Sequence, residues 1–92
     1  MSTCKILDIE HLTENTFKLR VERPEIAIIS GQCFNVGIPG LGINREYSMY
    51  SSADSEYIDF LIRSIDDGLI SKELQKLKPG DLVEVDGAYG EF

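Results

Sequence analysis

Two stretches of the chain alternate apolar and polar residues with a period of two. In residues 17–23, FKLRVER, the side chains of Phe17, Leu19 and Val21 fall on one side and those of Lys18, Arg20 and Glu22 on the other. In residues 32–38, QCFNVGI, Gln32, Phe34, Val36 and Ile38 alternate with smaller partners. Successive side chains of a strand point to opposite faces, so each stretch reads as a strand with one buried face. Residues 4–12 (CKILDIEHL), 45–52 (REYSMYSS), 57–65 (YIDFLIRSI) and 81–87 (DLVEVDG) have the same character with less regular alternation. Turn signals separate them: Pro24-Glu25, Ser30-Gly31, Pro39-Gly40-Leu41-Gly42, Ala53-Asp54-Ser55, Asp67-Gly68 and Pro79-Gly80-Asp81. Helical spacing occurs only in residues 69–77, LISKELQKL, where Ile70, Leu74 and Leu77 share a face and Pro79 supplies a stop. The expectation is an all-β fold, a six-stranded antiparallel Greek-key barrel with one short helix, because closing the sheet removes its unpaired edges.

Size and charge narrow the function. A chain of 92 residues makes one domain with a single core. Nine Lys and Arg against 16 Asp and Glu leave a formal charge of −7, which repels a phosphate backbone at long range. Nucleic acid is therefore disfavoured, although Tyr47 and Tyr50 could in principle stack single-stranded bases. Apolar runs such as 26–29 are far shorter than the roughly 20 residues of a membrane helix, and the N-terminus has no basic-then-apolar leader, so a cytoplasmic protein is expected. Cys4, Cys33 and the single His11 form neither a disulfide framework nor a metal set. Cys33 is read as a small buried residue and His11 as a surface histidine on a strand. Asp66-Asp67 and the Glu84/Asp86 pair read as a solvated turn and the outward face of a strand. Lys72, Lys76 and Lys78 read as a solvated helix face.

Chemistry concentrates in two places. In Arg45-Glu46-Tyr47-Ser48, strand geometry puts Arg45 and Tyr47 on one face, with Ser48 on the other or offering its backbone N–H. A guanidinium fork binds phosphate oxygens in pairs, and a tyrosine ring offers a flat surface to a planar heterocycle. On these residues alone, an exposed arginine beside a half-buried tyrosine is the favoured reading, since tyrosine is common in strands anyway. In Asp67-Gly68-Leu69-Ile70-Ser71, a glycine turn opens a helix whose free amides suit an anion, with Ser71 as an added hydroxyl; an ordinary N-cap is the alternative. A phosphate needs both a cation and free amides, and such local donors outweigh a diffuse, screened negative surface.

These segments, in the order REYS, FLIRSIDDGLISKELQKLKPGD and GAYGEF, resemble the FAD-binding barrel of the ferredoxin-NADP reductase family, and most of all its bacterial ferredoxin(flavodoxin)-NADP reductases. Gly31-Gln32 stands where that family commonly has Gly-Gln before its third strand. The resemblance implies FAD as cofactor. Arg45 would pair with the pyrophosphate, and Tyr47 would pack against the flavin and its ribityl chain. Ser48 would lie near flavin N5, so that Ser48 and Tyr47 are the residues nearest the reaction. Glu46 joins this cofactor-binding set through its place in the motif. Ile62, Arg63 and Ser64 would line the cofactor mainly through backbone groups, and Gly68, Leu69, Ile70 and Ser71 would meet the pyrophosphate at the helix mouth. Ala88 replaces the proline common in relatives. The resemblance further implies an NAD(P)H-dependent electron-transfer oxidoreductase. Its partners would be an NAD(P)H-binding domain or subunit and a ferredoxin, flavodoxin or other iron-sulfur carrier. No nicotinamide-binding stretch occurs in residues 1–92, so a fragment of a longer reductase, or a chain working beside a partner, is expected. A flavin-free barrel serving as an interaction module is the alternative.

Overall fold

The computed structural model describes residues 2–24, 32–51, 54–64 and 69–89. Its elements are β1 (Ser2–His11), β2 (Thr16–Glu22), β3 (Cys33–Gly37), β4 (Asn44–Ser48), β5 (Tyr57–Arg63), α1 (Leu69–Gln75) and β6 (Leu82–Tyr89). The six strands form one sheet in the order β4-β3-β6-β1-β2-β5, and every pairing is antiparallel. In the sheet order β6 and β1 lie between β3 and β2, and β1 and β2 lie between β6 and β5, so neither the β2–β3 nor the β5–β6 connection joins neighbours. Both are Greek-key crossings.

The period-two segments place the core. Phe17, Leu19 and Val21 of β2 face Ile62, Phe60 and Ile58 of β5 in direct register, and all six are fully buried. Phe34 and Val36 of β3 reach the same interior, where the Phe34 and Phe60 rings meet edge to face with centroids 5.8 Å apart. An aromatic pair in that geometry contributes about 0.5–1.5 kcal/mol beyond its area. Helix α1 closes the barrel by burying Ile70 and Leu74. It ends at Gln75 rather than at residue 77, and Leu77 caps it through a turn bond from its N–H to the Leu74 carbonyl (3.2 Å) while still packing on the core. The following turn is tied down by the Lys78 and Gly80 amides, which donate to Asp81 Oδ2 (3.0 Å) and the Ile6 carbonyl (2.9 Å).

Strand parity corrects one expectation. Cys33 alternates with the buried Phe34 and so points to the outer face, where it is half-exposed; Cys4, on the inner face of β1, is the buried thiol. His11 is exposed near the end of β1, as expected.

β4 and β5 are the two ends of the sheet, and they meet at a single isolated bridge, Met49 to Phe60. The sheet curls into a barrel, but its seam is one bridge where a ladder would close it fully. β4 accordingly stops at Ser48, well before residue 52.

A bulge supplies part of the curl. Cys33 pairs with Tyr89 and Asn35 with Asp86, so three steps on β6 oppose two on β3. Gly87 occupies the bulge with φ of +150°, and a Cβ there would sit 2.9 Å from Phe34 Cδ2 and 3.1 Å from the Cys33 carbonyl oxygen. Gly87→Ala is expected to lower the unfolding free energy by about 1–3 kcal/mol. Urea denaturation checks this; a midpoint equal to wild type would contradict the bulge geometry.

Candidate functional site

The seam creates the site. On one side of the Met49–Phe60 bridge the edges are fastened: Tyr50 N–H donates to the Asp59 carbonyl at 2.6 Å. On the other side lie Arg45–Ser48 of β4 and Leu61–Arg63 of β5, which no ladder joins. The Met49 amide donates toward β3, to the Gln32 carbonyl at 3.0 Å. Antiparallel ladders alternate the direction of their backbone bonds, so the Glu46 peptide groups and the Ser48 N–H face away from β3, toward the opening, while the Ser48 carbonyl lies at the Met49–Phe60 bridge. A strand edge of this kind needs a partner or a cover.

Residue types on the edge set its chemistry. Tyr47 opposes Phe34 and Arg45 opposes Val36 in the β3–β4 register, so both lie on the inner face of the strand. Tyr47 is half-buried against the core, while Arg45 is exposed and has no salt-bridge partner among the described residues. The Tyr47 hydroxyl is buried and makes no hydrogen bond. Burial pushes its phenol above the ordinary value, and the nearby positive charge of Arg45 opposes that shift. The cation and the phenol therefore sense each other electrostatically. Ser48 lies on the opposite face, exposed, with its Oγ 3.5 Å from Cys33 Sγ across the ladder. Glu46 shares that outer face, opposite Asn35, which leaves its peptide as the part nearest the opening.

On β5, the Ile62 side chain belongs to the core, so only its backbone can meet a ligand, whereas Arg63 is exposed. The Ser64 amide donates to the Asn15 carbonyl at 2.6 Å, so its N–H serves the scaffold. Gly68 lies outside the described residues. Leu69 opens α1, Ile70 is in the core, and Ser71 is buried as the third residue of the helix. Ser71 thus sits inside the first turn, not at an N-cap, and it has an interaction of its own. Arg45, Tyr47 and Ser48 come together on one edge, and Ile62 and Arg63 lie on the facing strand. A separate recess lined by Asn35, Gly37, Asn44, Glu84 and Asp86 carries two carboxylates and would repel an anion. Sequence reasoning missed Ser51, whose hydroxyl crosses to β5 just past the bridge; its only signal was its place in the run of serines after Tyr47.

A buried phenol without a partner carries a cost of about 1–3 kcal/mol. Tyr47→Phe is therefore expected to stabilise the free chain by about 1 kcal/mol at neutral pH. The folded state also holds the phenol proton to higher pH than the unfolded state, whose value is about 10. The associated stability is intact below that pH and is lost as pH rises through the folded value. Wild type should lose more stability than Tyr47→Phe above about pH 10; parallel losses in denaturant midpoints would contradict the burial of this hydroxyl.

The profile of the oxidoreductase FAD-binding domain family matches residues 3–92. The chain is 34% identical over 85 residues to the flavodoxin/ferredoxin-NADP reductase of Escherichia coli (strain K12), an alignment covering 90% of this chain and 34% of that protein. It is 36% identical over 96 residues to methane monooxygenase component C of Methylosinus trichosporium, covering 96% of this chain and 28% of that one. A crystal structure of a ferredoxin NADP+ reductase from Neisseria gonorrhoeae with bound FAD and NADP superposes with a TM-score of 0.90 at 30% identity, covering 98% of this chain and 38% of that chain. The chain thus spans about a third of the length of these relatives. With six antiparallel strands, one short helix and a family profile that runs nearly end to end, the chain belongs to the oxidoreductase FAD-binding domain family.

Proposed function

We propose that the chain is the FAD-binding part of an NAD(P)H-dependent electron-transfer oxidoreductase of ferredoxin-NADP reductase type, with FAD held along the open edge of β4. The observation that carries this reading is the Tyr47 hydroxyl, buried without a hydrogen bond near the Arg45 guanidinium, which has no salt bridge among the described residues, on a strand edge that no other described strand ladders. A flavin dinucleotide matches that combination, because it brings phosphate oxygens, a polyhydroxyl chain and a flat heterocycle within one molecule.

In this reading the Arg45 guanidinium binds and orients the pyrophosphate through charge-assisted hydrogen bonds. The Tyr47 ring would pack against the flavin and its ribityl chain, with its hydroxyl the group left to take a hydrogen bond. Ser48 presents its hydroxyl and peptide N–H at the reacting edge, where a donor stabilises negative charge. The backbones of Ile62 and Arg63 line the facing side, and Glu46 contributes its peptide. Gly68, Leu69, Ile70 and Ser71 complete the pyrophosphate end at the start of α1. Exclusion of water falls to the inner face of the cleft, where Phe34 and Ile62 are fully buried. FAD supplies the chemistry that the side chains lack, accepting two electrons and passing them on singly.

The nicotinamide site would come from an NAD(P)H-binding domain or subunit, and the electron acceptor would be a ferredoxin, flavodoxin or another iron-sulfur carrier. The named relatives, which include an NADP reductase and a monooxygenase component, support both. A cytoplasmic setting agrees with the absence of any described helix long and apolar enough to cross a membrane.

Titration of the chain with FAD, read by quenching of flavin fluorescence, tests the proposal. Wild type should bind, and Arg45→Ala should weaken binding by about 1.5–3 kcal/mol, roughly ten- to 150-fold. Tyr47→Phe should bind more weakly although the free protein is more stable. No uptake by a folded chain would overturn the proposal.

A further inference from the structure

We infer that Ser51 is the pin that fixes the closed end of the β4–β5 cleft, a positioning residue for the cofactor-binding edge; the inference rests on the FAD site proposed above. Ser51 lies three residues beyond the end of β4 and is half-buried. Its Oγ accepts a hydrogen bond from the Asp59 amide at 3.0 Å and donates to the Tyr57 carbonyl at 3.4 Å. One hydroxyl therefore supplies to β5 the acceptor and the donor that a continued strand would have supplied from its backbone. Apart from it, the described edges are joined by the Met49–Phe60 bridge and by the Tyr50 amide on the Asp59 carbonyl.

The two sides of this joint are unequally anchored. β5 is held firmly where Ser51 attaches: Asp59 is 5% exposed, and its carboxylate accepts two bonds from Arg20, at 2.9 and 3.1 Å. The Arg20 guanidinium also lies 3.8 Å from the centre of the Tyr57 ring. Past Ser48, among the described residues, the β4 segment is tied back toward β3 by the Met49 amide and to the core by the Met49 side chain, with Tyr50 exposed. Ser51 thus fastens the weakly held segment to the rigid one. Tyr47 stands four residues earlier, about 13 Å along an extended chain. A displacement of β4 by roughly 1 Å at the Tyr47 hydroxyl is enough to break a hydrogen bond. Ser51 acts on cofactor binding through Tyr47 and Ser48, without touching the cofactor.

The test compares Ser51→Ala, Ser51→Thr and Asp81→Ala with wild type. Asp81→Ala is the control, removing a side-chain bond to a backbone amide in the turn before β6. In the free chain, Ser51→Ala should speed hydrogen exchange of the Tyr50 and Asp59 amides, and Ser51→Thr should not. In FAD titrations, Ser51→Ala should raise Kd about three- to ten-fold, Ser51→Thr should restore it, and Asp81→Ala should leave it near wild type at similar loss of stability. Unchanged exchange in Ser51→Ala would overturn the pin whether or not flavin binds. Wild-type uptake with an unaltered Kd in Ser51→Ala, or an equal rise in Asp81→Ala, would overturn the positioning role while leaving the FAD reading standing. No uptake by wild type would remove both.

Discussion

A single backbone bridge, Met49 to Phe60, holds together the two ends of the sheet, and the remainder of the molecule is arranged around that fact. Were β4 and β5 fully laddered, the barrel would be closed and its backbone groups satisfied internally. Were they unjoined, both edges would be open to pairing with any extended chain. The bridge divides the seam into a fastened end, at Tyr50 and Ser51, and an open end, at Arg45 to Ser48. The open end keeps peptide groups available for a ligand, and the hydrophobic interior behind it supplies a dry wall.

Charge at the open end runs against that of the chain as a whole. A chain with a formal charge of −7 is a poor global attractor for anions, yet Arg45 is exposed and has no salt bridge among the described residues. Arg20, by contrast, is committed to Asp59 and to the Tyr57 ring, and serves the scaffold. The two arginines illustrate how one residue type divides between holding the barrel and facing the cleft. Tyr47 carries the complementary imbalance: its ring is packed against the core while its hydroxyl is left without a partner. A stability cost at an open strand edge is a common sign that the edge is shaped for something other than the free chain.

Much of this architecture is legible in the sequence because burial dictates it. The alternation in residues 17–23 appears in β2 as strict in-and-out burial, and the helical spacing of Ile70 and Leu74 appears as the buried face of α1. The same logic exposes Cys33, since parity with Phe34 outweighs the usual preference of a thiol for the interior. β4 is different. Four of its five residues are exposed, so no alternation marks its faces; residue type alone suggested a phosphate at Arg45 and a flat heterocycle at Tyr47, and the particular roles expected of them and of Ser48 came from the family resemblance. The bonds made by Ser51 and by the Ser64 amide were not legible, because they join segments that periodicity treats as independent.

The most direct measurement of the central claim is amide chemical-shift mapping of the chain titrated with FAD. Shifts concentrated at Arg45 to Ser48 and Leu61 to Arg63, with β1 and the outer face of β6 unaffected, are expected if the flavin occupies the open end of the seam. Shifts confined to other surfaces, or none at saturating FAD, would contradict it.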